Sequence, residues 1–130
     1  MSNRRKPTAR NRYRAEFLRS PAWFARRNRW FAKHERLGIP LVCAACDRPA
    51  LRSQLELHHV DYAGVSVAGD GSWRAFEPHA DLVPLHPYCH ELVHRLIDRD
   101  VVLSRNRTRR AATEFALQRV RAKLTHQVAP

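Results

Sequence analysis

Two pairs of metal-binding side chains, far apart in the chain, constrain the fold of this sequence more than any other feature. Cys43 and Cys46 are separated by two residues, and His86 and Cys89 repeat that spacing after an interval of 39 residues. Four such ligands in two close pairs are typical of a tetrahedral structural zinc. A zinc ion would clamp two remote segments of a 130-residue chain whose core must be small. The alternative is a redox pair at Cys43 and Cys46, which normally sits in a strand–helix–strand unit that we do not predict here.

Four histidines form a second cluster of residues that carry chemistry. Residues 55–60 alternate apolar and polar side chains, which predicts a strand with His58 and His59 near its end. His90 and His94 are four residues apart in a predicted helix, so they share one face. These two histidines and His58 can hold one ion and leave positions open for water and a phosphate oxygen, as catalytic metal sites do. His59 would then be free to act as a general base.

The charge of the chain is +12, and it is concentrated at the two ends. Residues 1–33 hold 11 Lys and Arg against one acid, and residues 99–130 hold 8 against 2, whereas residues 34–98 hold 5 against 9. Basic arms of this kind suit contacts with phosphates, which supply affinity and little sequence information. We therefore expect a nucleic-acid partner, with a merely solvated basic surface as the alternative.

Ser20 and Pro21 predict the start of a helix that runs to about Leu37, because serine caps helices and proline suits the first helical position. Its aromatic residues share one face, which we assign to the core: Trp23, Phe24, Trp30 and Phe31. Its basic residues share another face, which either is solvated or follows the phosphate backbone of DNA: Arg26, Arg29 and Lys33.

We predict one domain over residues 10–130 after a disordered basic tail at 1–9. The domain divides into a basic helical arm, a zinc-pinned core and a basic C-terminal helix, at 10–38, 41–98 and 99–130. Within it we expect a loop at 61–80, a β-like segment at 82–85, helices at 87–98 and 108–124, and either strand or loop at 101–103. No stretch could span a membrane and no signal peptide precedes the domain, so we expect a soluble cytoplasmic protein.

Three stretches of the sequence form one recognisable pattern: CAAC at 43–46, LELHHVDY at 55–62 and ADLVPLHPYCHELVH at 80–94. Together they resemble the HNH nuclease family, whose members are also called ββα-metal or His-Me finger enzymes. The resemblance covers residues 43–94, and LRSPAWFARRNRWF at 18–31 is similar to the basic helix that often precedes this pattern. It implies an α+β fold in which a ββα-metal finger core with a structural zinc is flanked by basic N- and C-terminal helices.

The resemblance also implies a role for each residue of the pattern. His59 matches the general base, and the catalytic metal ligands match three other histidines: His58, His90 and His94. Asp81 stands where the family usually has asparagine, whose backbone and side chain steady the loop that bears the base. Asp81 would hydrogen-bond His59 and orient it, or add a negative ligand to the metal. His86 stands where the family usually has cysteine, and the structural zinc set becomes Cys43, Cys46, His86 and Cys89.

The activity that the resemblance implies is hydrolysis of DNA phosphodiester bonds to 5′-phosphate and 3′-hydroxyl ends. Besides one structural Zn²⁺, the enzyme would use one divalent metal, Mg²⁺, Mn²⁺, Ni²⁺ or Zn²⁺. Two alternatives stay open. One is a non-catalytic zinc-containing nucleic-acid-binding module, which the substitution at Asp81 favours. The other is a phage packaging accessory protein that acts beside a terminase or another phage protein.

Overall fold

The computed structural model describes residues 9–99 and 108–128. Of the tail predicted to be disordered, only Ala9 lies in this range, and residues 101–103 lie outside it. The described chain is a mixture of helices and two small sheets, which confirms the α+β class. Its elements are α1 (Ala9–Leu18), α2 (Pro21–Arg36), β1 (Glu56–His59), β2 (Val65–Val67), β3 (Trp73–Ala75), β4 (Leu82–Leu85), α3 (Pro87–Arg99) and α4 (Arg109–Val128), with 3₁₀ turns at Arg52–Gln54 and His79–Asp81.

The centre of the fold is an antiparallel pair of strands followed by a helix. β1 pairs with β4, with His58 opposite Val83 and His59 opposite Leu82, and α3 begins two residues after β4 ends. α4 packs along α3 and buries its small apolar residues there: Ala112, Ala116 and Val120. The sequence predicted both strands and both helices, because each has a clear apolar pattern.

The prediction of a loop at 61–80 is wrong in part, because this segment contains the β2–β3 hairpin. Its turn is closed by Ala68 N–H, which donates to Ser72 O at 2.8 Å, and by Gly71, whose φ of 86° favours glycine. Gly64 lies at the base, where a Cβ would come within 2.6 Å of the Glu77 backbone. The hairpin thereby returns the chain to its starting point and brings Glu77 beside β1.

Helix α2 begins and ends as its sequence predicts. The Ser20 hydroxyl accepts a hydrogen bond from Trp23 N–H at 3.2 Å, and Gly38 follows the helix with a φ of 69°. Trp23 is buried, as are Trp30 and Phe31, but Phe24 is 52% exposed. Assigning Phe24 to the core was therefore a mistake: Phe24 lies seven residues before the buried Phe31 and on nearly the same helix face, so the helical pattern cannot tell apart a position that is packed over from one that is not.

A pair of histidines ties α2 to the turn that precedes β4. His34 Nδ1 and His79 Nε2 are 3.2 Å apart, and Trp30 stacks on both rings at 4.6 Å. The two ring centroids are 5.5 Å apart, which exceeds the nitrogen separation by about two ring radii. The nitrogens therefore point directly at one another, as in an N–H···N hydrogen bond that holds a single proton.

We expect the stabilising effect of His79 to decrease as the pH falls. Burial lowers the pKa of His79, and the charges of His34, Lys33 and Arg26 lower it further. The unfolded chain binds a proton at this histidine below about pH 6.5 and the folded chain resists it, so acid favours unfolding. Urea denaturation of the zinc-loaded protein should show wild type losing stability relative to His79→Gln between about pH 7.5 and about pH 5. A difference that stays constant over this range would contradict the prediction.

Among the described residues, no helix combines the length and the apolar character needed to cross a bilayer.

Candidate metal centres

The four residues predicted to hold a structural zinc meet at one point of the structure. The ligand atoms of Cys43, Cys46, His86 and Cys89 all lie within 4.8 Å of one another. Cys46 Sγ is 3.3 Å from His86 Nδ1. Ligands at the usual 2.0–2.3 Å from zinc form a tetrahedron with edges of about 3.3–3.8 Å, so a small inward movement of this cluster would complete a zinc site. The arrangement is compatible with a structural metal.

Local backbone structure explains why the two pairs come together. A turn follows Cys43, in which Asp47 adopts a φ of 59° and its N–H donates to Cys43 O at 2.9 Å. Ala44 N–H donates to Pro84 O at 2.8 Å, which attaches this turn to β4. Arg121 of α4 donates two hydrogen bonds to Ala44 O, at 2.9 and 2.6 Å. The cluster therefore joins the turn, β4, α3 and α4.

The electrostatics of the three thiols also suit a cation. Burial raises the pKa of Cys43, but backbone N–H groups directed at its sulfur, including that of His86 at 3.4 Å, outweigh burial and lower the pKa overall. Burial and the neighbouring sulfurs of Cys43 and Cys46 raise the pKa of Cys89 to about 12. Without a cation the cluster resists becoming fully thiolate, and a bound zinc would supply the charge that holds three thiolates together.

Three of the four predicted active-site histidines meet at a second point. His58 Nδ1 is 3.2 Å from His90 Nε2, and His94 Nε2 is 3.0 Å from the same nitrogen. Nitrogens bound to one ion at about 2.0–2.1 Å are roughly 3.0–3.4 Å apart, so these separations fit a shared metal. The ligand atoms of all three rings lie within 4.8 Å of one another, and the ring planes cross at 84° for His58 and His90 and at 71° for His58 and His94.

The outer nitrogens of two of these rings have partners that fix which nitrogen faces the centre. His58 Nε2 lies 3.0 Å from the hydroxyl of Thr113, which is buried on α4. His90 Nδ1 lies 3.2 Å from the Glu56 carboxylate. Each ring can donate its outer N–H to an oxygen and keep the lone pair of its inner nitrogen for a metal. This pairing of histidine with an oxygen acceptor is usual around metal ions in proteins.

The environments of His58 and His94 favour the neutral ring that a metal ligand requires. Burial, followed by the charges of Arg109 and the neighbouring histidines, keeps the pKa of His58 far below its ordinary value. Burial and the charge of His90 lower the pKa of His94 to about 4. The cluster of His58, His90 and His94 could therefore accept a metal ion without first losing protons from these two rings.

We expect Thr113→Val to weaken metal binding by the histidine cluster. The substitution keeps the shape of the side chain and removes the oxygen that accepts from His58, so the ring loses its fixed orientation. Loss of such a partner typically reduces metal affinity by about 10- to 100-fold. Titration with Mn²⁺ or Ni²⁺ measures the change, and Thr113→Ser, which keeps the hydroxyl, should bind as wild type does. Equal affinity in wild type and Thr113→Val would contradict the role of this hydroxyl.

His59, the predicted general base, lies on the other side of β1. Adjacent residues of a strand face opposite ways, so His58 points towards α3 and α4 while His59 points towards α1 and α2. Its ring is only 2% exposed, and it stacks on Tyr62 at 4.3 Å and contacts Trp23 at 4.6 Å. Burial lowers the pKa of His59, and the nearby Glu77 carboxylate only partly opposes this effect. The structure thus gives a neutral imidazole in an enclosed position.

Glu77 is the residue that the sequence analysis missed. Its carboxylate lies 2.7 Å from His59 Nε2, and its other oxygen, Oε1, has no hydrogen-bond partner among the described residues. A His59 N–H that donates to this carboxylate leaves Nδ1 with the free lone pair. A glutamate 18 residues after the histidine gives no signal in the sequence, because the β2–β3 hairpin is what brings the two together.

Asp81 steadies the segment that follows His59, as the family's asparagine does, but none of its described contacts is with the His59 ring or the histidine cluster. Its carboxylate forms an ion pair with Arg110 of α4, and its carbonyl accepts from Val60 N–H at 2.8 Å. Asp81 therefore steadies the backbone that follows His59, while the carboxylate on the His59 ring belongs to Glu77. The prediction that Asp81 orients His59 is corrected accordingly.

The basic face of α2 is only partly available to a nucleic acid. Arg26 is buried, and its Nε donates to Glu77 O at 2.9 Å, so the prediction that Arg26 contacts DNA is corrected. The exposed Arg29 donates to Ala75 O at 3.2 Å, and Lys33 is exposed. The carbonyls at the end of the hairpin occupy this face, which a helical pattern alone cannot predict.

Comparisons of the chain with known protein families, with curated proteins and with solved structures found no match.

Proposed function

We propose that this protein is a metal-dependent DNA endonuclease of the HNH, or ββα-metal, class. The observation that carries the proposal is the convergence of His58, His90 and His94, whose facing nitrogens are 3.2 and 3.0 Å apart. Three protein ligands leave coordination positions open for water and substrate, whereas a structural site fills all four with side chains. The cluster of three cysteines and His86 is of that closed kind.

The order of the elements supports the same class. β1, β4 and α3 follow one another as strand, antiparallel strand and helix, with one metal ligand on β1 and two on α3. We identify this unit with the ββα-metal finger that the resemblance implies, and the cysteine cluster with the structural zinc beside it.

The charge of the chain supports a polyanionic substrate. Net charge is +12, and the basic residues are concentrated before residue 34 and after residue 98, on both sides of the histidine cluster. Such charge attracts the phosphate backbone of nucleic acid irrespective of sequence. DNA is the substrate that we propose.

The residues around the histidine cluster divide the work of hydrolysis. A divalent ion, when bound there, would stabilise the negative charge that develops on the phosphate. His59 would take the proton of the attacking water at Nδ1, because Glu77 holds Nε2. Arg110 and Asp81 would fix the backbone that follows His59. Attack on phosphorus with departure of the 3′ oxygen gives 5′-phosphate and 3′-hydroxyl ends.

A plasmid assay tests the proposal. Supercoiled plasmid is incubated with the zinc-loaded chain and Mg²⁺, Mn²⁺, Ni²⁺ or Zn²⁺, with and without chelator. We expect relaxation with at least one of these metals, loss of relaxation with chelator, and loss in His59→Ala. No relaxation with any metal, or undiminished relaxation by His59→Ala, would contradict the proposed nuclease activity.

The enclosed position of His59 favours a second candidate, a zinc-containing module that binds nucleic acid without cutting it. At 2% exposure, the ring cannot reach a water in the conformation described. Binding of a labelled duplex that persists without any cleavage in the plasmid assay would favour this candidate over the enzyme.

A further inference from the structure

Three aromatic rings and one carboxylate enclose His59. Tyr62 lies on the ring at 4.3 Å, with an angle of 7° between the ring planes. Trp23 and Phe17 lie at 4.6 and 5.7 Å, and the Glu77 carboxylate is at 2.7 Å from Nε2. A base that acts on water must come within about 3 Å of it, so one of these groups has to move before His59 can act.

The burial of the four groups around His59 shows which of them can move. Phe17 is 0% exposed, Trp23 is 5% exposed and Glu77 is 2% exposed, so displacing any of them would open the core. Tyr62 is only partly buried and belongs to the segment between β1 and β2. Of the four groups, Tyr62 is the one that can turn towards solvent without creating a cavity in the core.

Two arginines from different helices lie against the Tyr62 ring. The guanidinium of Arg14, on α1, is 4.8 Å from the ring centroid, and that of Arg109, at the start of α4, is 5.0 Å away. Arg109 also donates to His59 O at 2.7 Å. Cation–π contacts at partly exposed sites contribute about 0.5–1 kcal/mol each, and a phosphate is a stronger partner for a guanidinium.

We propose that Tyr62 is a gate over His59, and that it opens when a phosphate of the DNA backbone draws Arg14 and Arg109 away from the tyrosine ring. The proposal rests on the proposed function, because it names the substrate group that prepares His59 for reaction. Phosphate binding removes the two contacts that hold Tyr62 against His59. In the absence of DNA the base stays covered, which prevents it from meeting water unproductively.

The test follows the His59 ring by NMR in the zinc-loaded full chain. The protein carries ¹³C-labelled histidine, and the His59 resonance is assigned by its absence in His59→Gln. A proton stacked on aromatic rings is shifted upfield, so His59 should report whether Tyr62 covers it. The probe is a short phosphorothioate duplex added without a divalent metal other than the structural zinc, so that no cleavage occurs.

We expect the duplex to move the His59 resonance of wild type towards the position of a free histidine. Tyr62→Ala should show that position before DNA is added, and DNA should then shift it little further. Tyr62→Phe, which keeps the ring, should behave as wild type does. Arg14→Gln removes one of the two contacts on Tyr62, so its His59 resonance should lie part of the way towards the free position before DNA is added, and completing the shift should need a severalfold higher DNA concentration.

The outcomes separate the gate from the nuclease. A His59 resonance that stays in place at saturating duplex, or a duplex that does not bind, overturns the gate. If DNA shifts the His59 resonance of Tyr62→Ala as far as it shifts that of wild type, the gate is also overturned, because DNA would then affect His59 directly. If the His59 resonance shifts as expected but the protein does not relax plasmid under any condition, the gate is supported and the nuclease proposal is contradicted.

Discussion

Replacing Cys89 by alanine should unfold this protein. The cluster of three cysteines and His86 joins the turn after Cys43 to the start of α3, and Arg121 attaches α4 to the same turn. Structural zinc contributes about 10–16 kcal/mol in small zinc domains, whereas whole domains are stable by about 5–15 kcal/mol. Loss of the metal would therefore exceed the stability that the remaining core can supply.

Circular dichroism and zinc analysis measure this prediction. Wild type should bind one tightly held zinc per chain, and Cys89→Ala should lose that zinc together with its near-ultraviolet signal and its cooperative thermal transition. The matched control is His86→Cys, which keeps four zinc ligands and should retain both the metal and the fold. A folded Cys89→Ala protein with an unchanged melting temperature would show that zinc does not hold this fold together.

Replacing His90 by alanine should abolish cleavage and leave the fold intact. His90 Nε2 is the nitrogen that both His58 and His94 approach, so its loss removes the centre of the cluster. Loss of electrostatic stabilisation at a phosphate costs several kcal/mol, so we expect relaxation of plasmid to slow by about a thousandfold or more.

The same variant should bind one metal fewer than wild type. Metal analysis after equilibration with Mn²⁺ or Ni²⁺ should give the structural zinc plus one exchangeable ion in wild type, and the zinc alone in His90→Ala. His34→Asn is the control, since it removes a histidine outside the cluster and should retain both ions. An exchangeable ion that His90→Ala still binds, with cleavage unchanged, would contradict the proposal that the histidine cluster holds a catalytic metal.

The sequence predicts which residues form the two candidate ligand clusters, because each cluster contains a pair whose geometry is local. Cys43 and Cys46 lie in one turn, and His90 and His94 lie on one helical face, so spacing alone brings each pair together. The same is true of the start of α2 at Ser20 and of its end at Gly38, where single residues determine the helix boundaries.

The residues that the sequence could not predict depend on the β2–β3 hairpin. Its strands have three residues each, too few to show the alternation that distinguishes a strand from a loop. Without the hairpin, nothing indicates that Glu77 reaches His59, or that Arg26 of a basic helix face is buried against Glu77 O. Long-range contacts of this kind arise from tertiary structure, whereas spacing reports only neighbours in one element.

The hairpin is anchored at its base and along β3, where Trp73 contacts Phe17 at 5.5 Å and Ala75 O accepts from Arg29, whereas its turn can differ in length. Phe76 N–H donates to Gly64 O at 2.9 Å, and this bond closes the base of the hairpin. The turn residues 69–72 are exposed. Loop closure costs little more for each added residue, so this turn is a suitable place to insert a peptide tag while the two candidate metal centres keep their geometry.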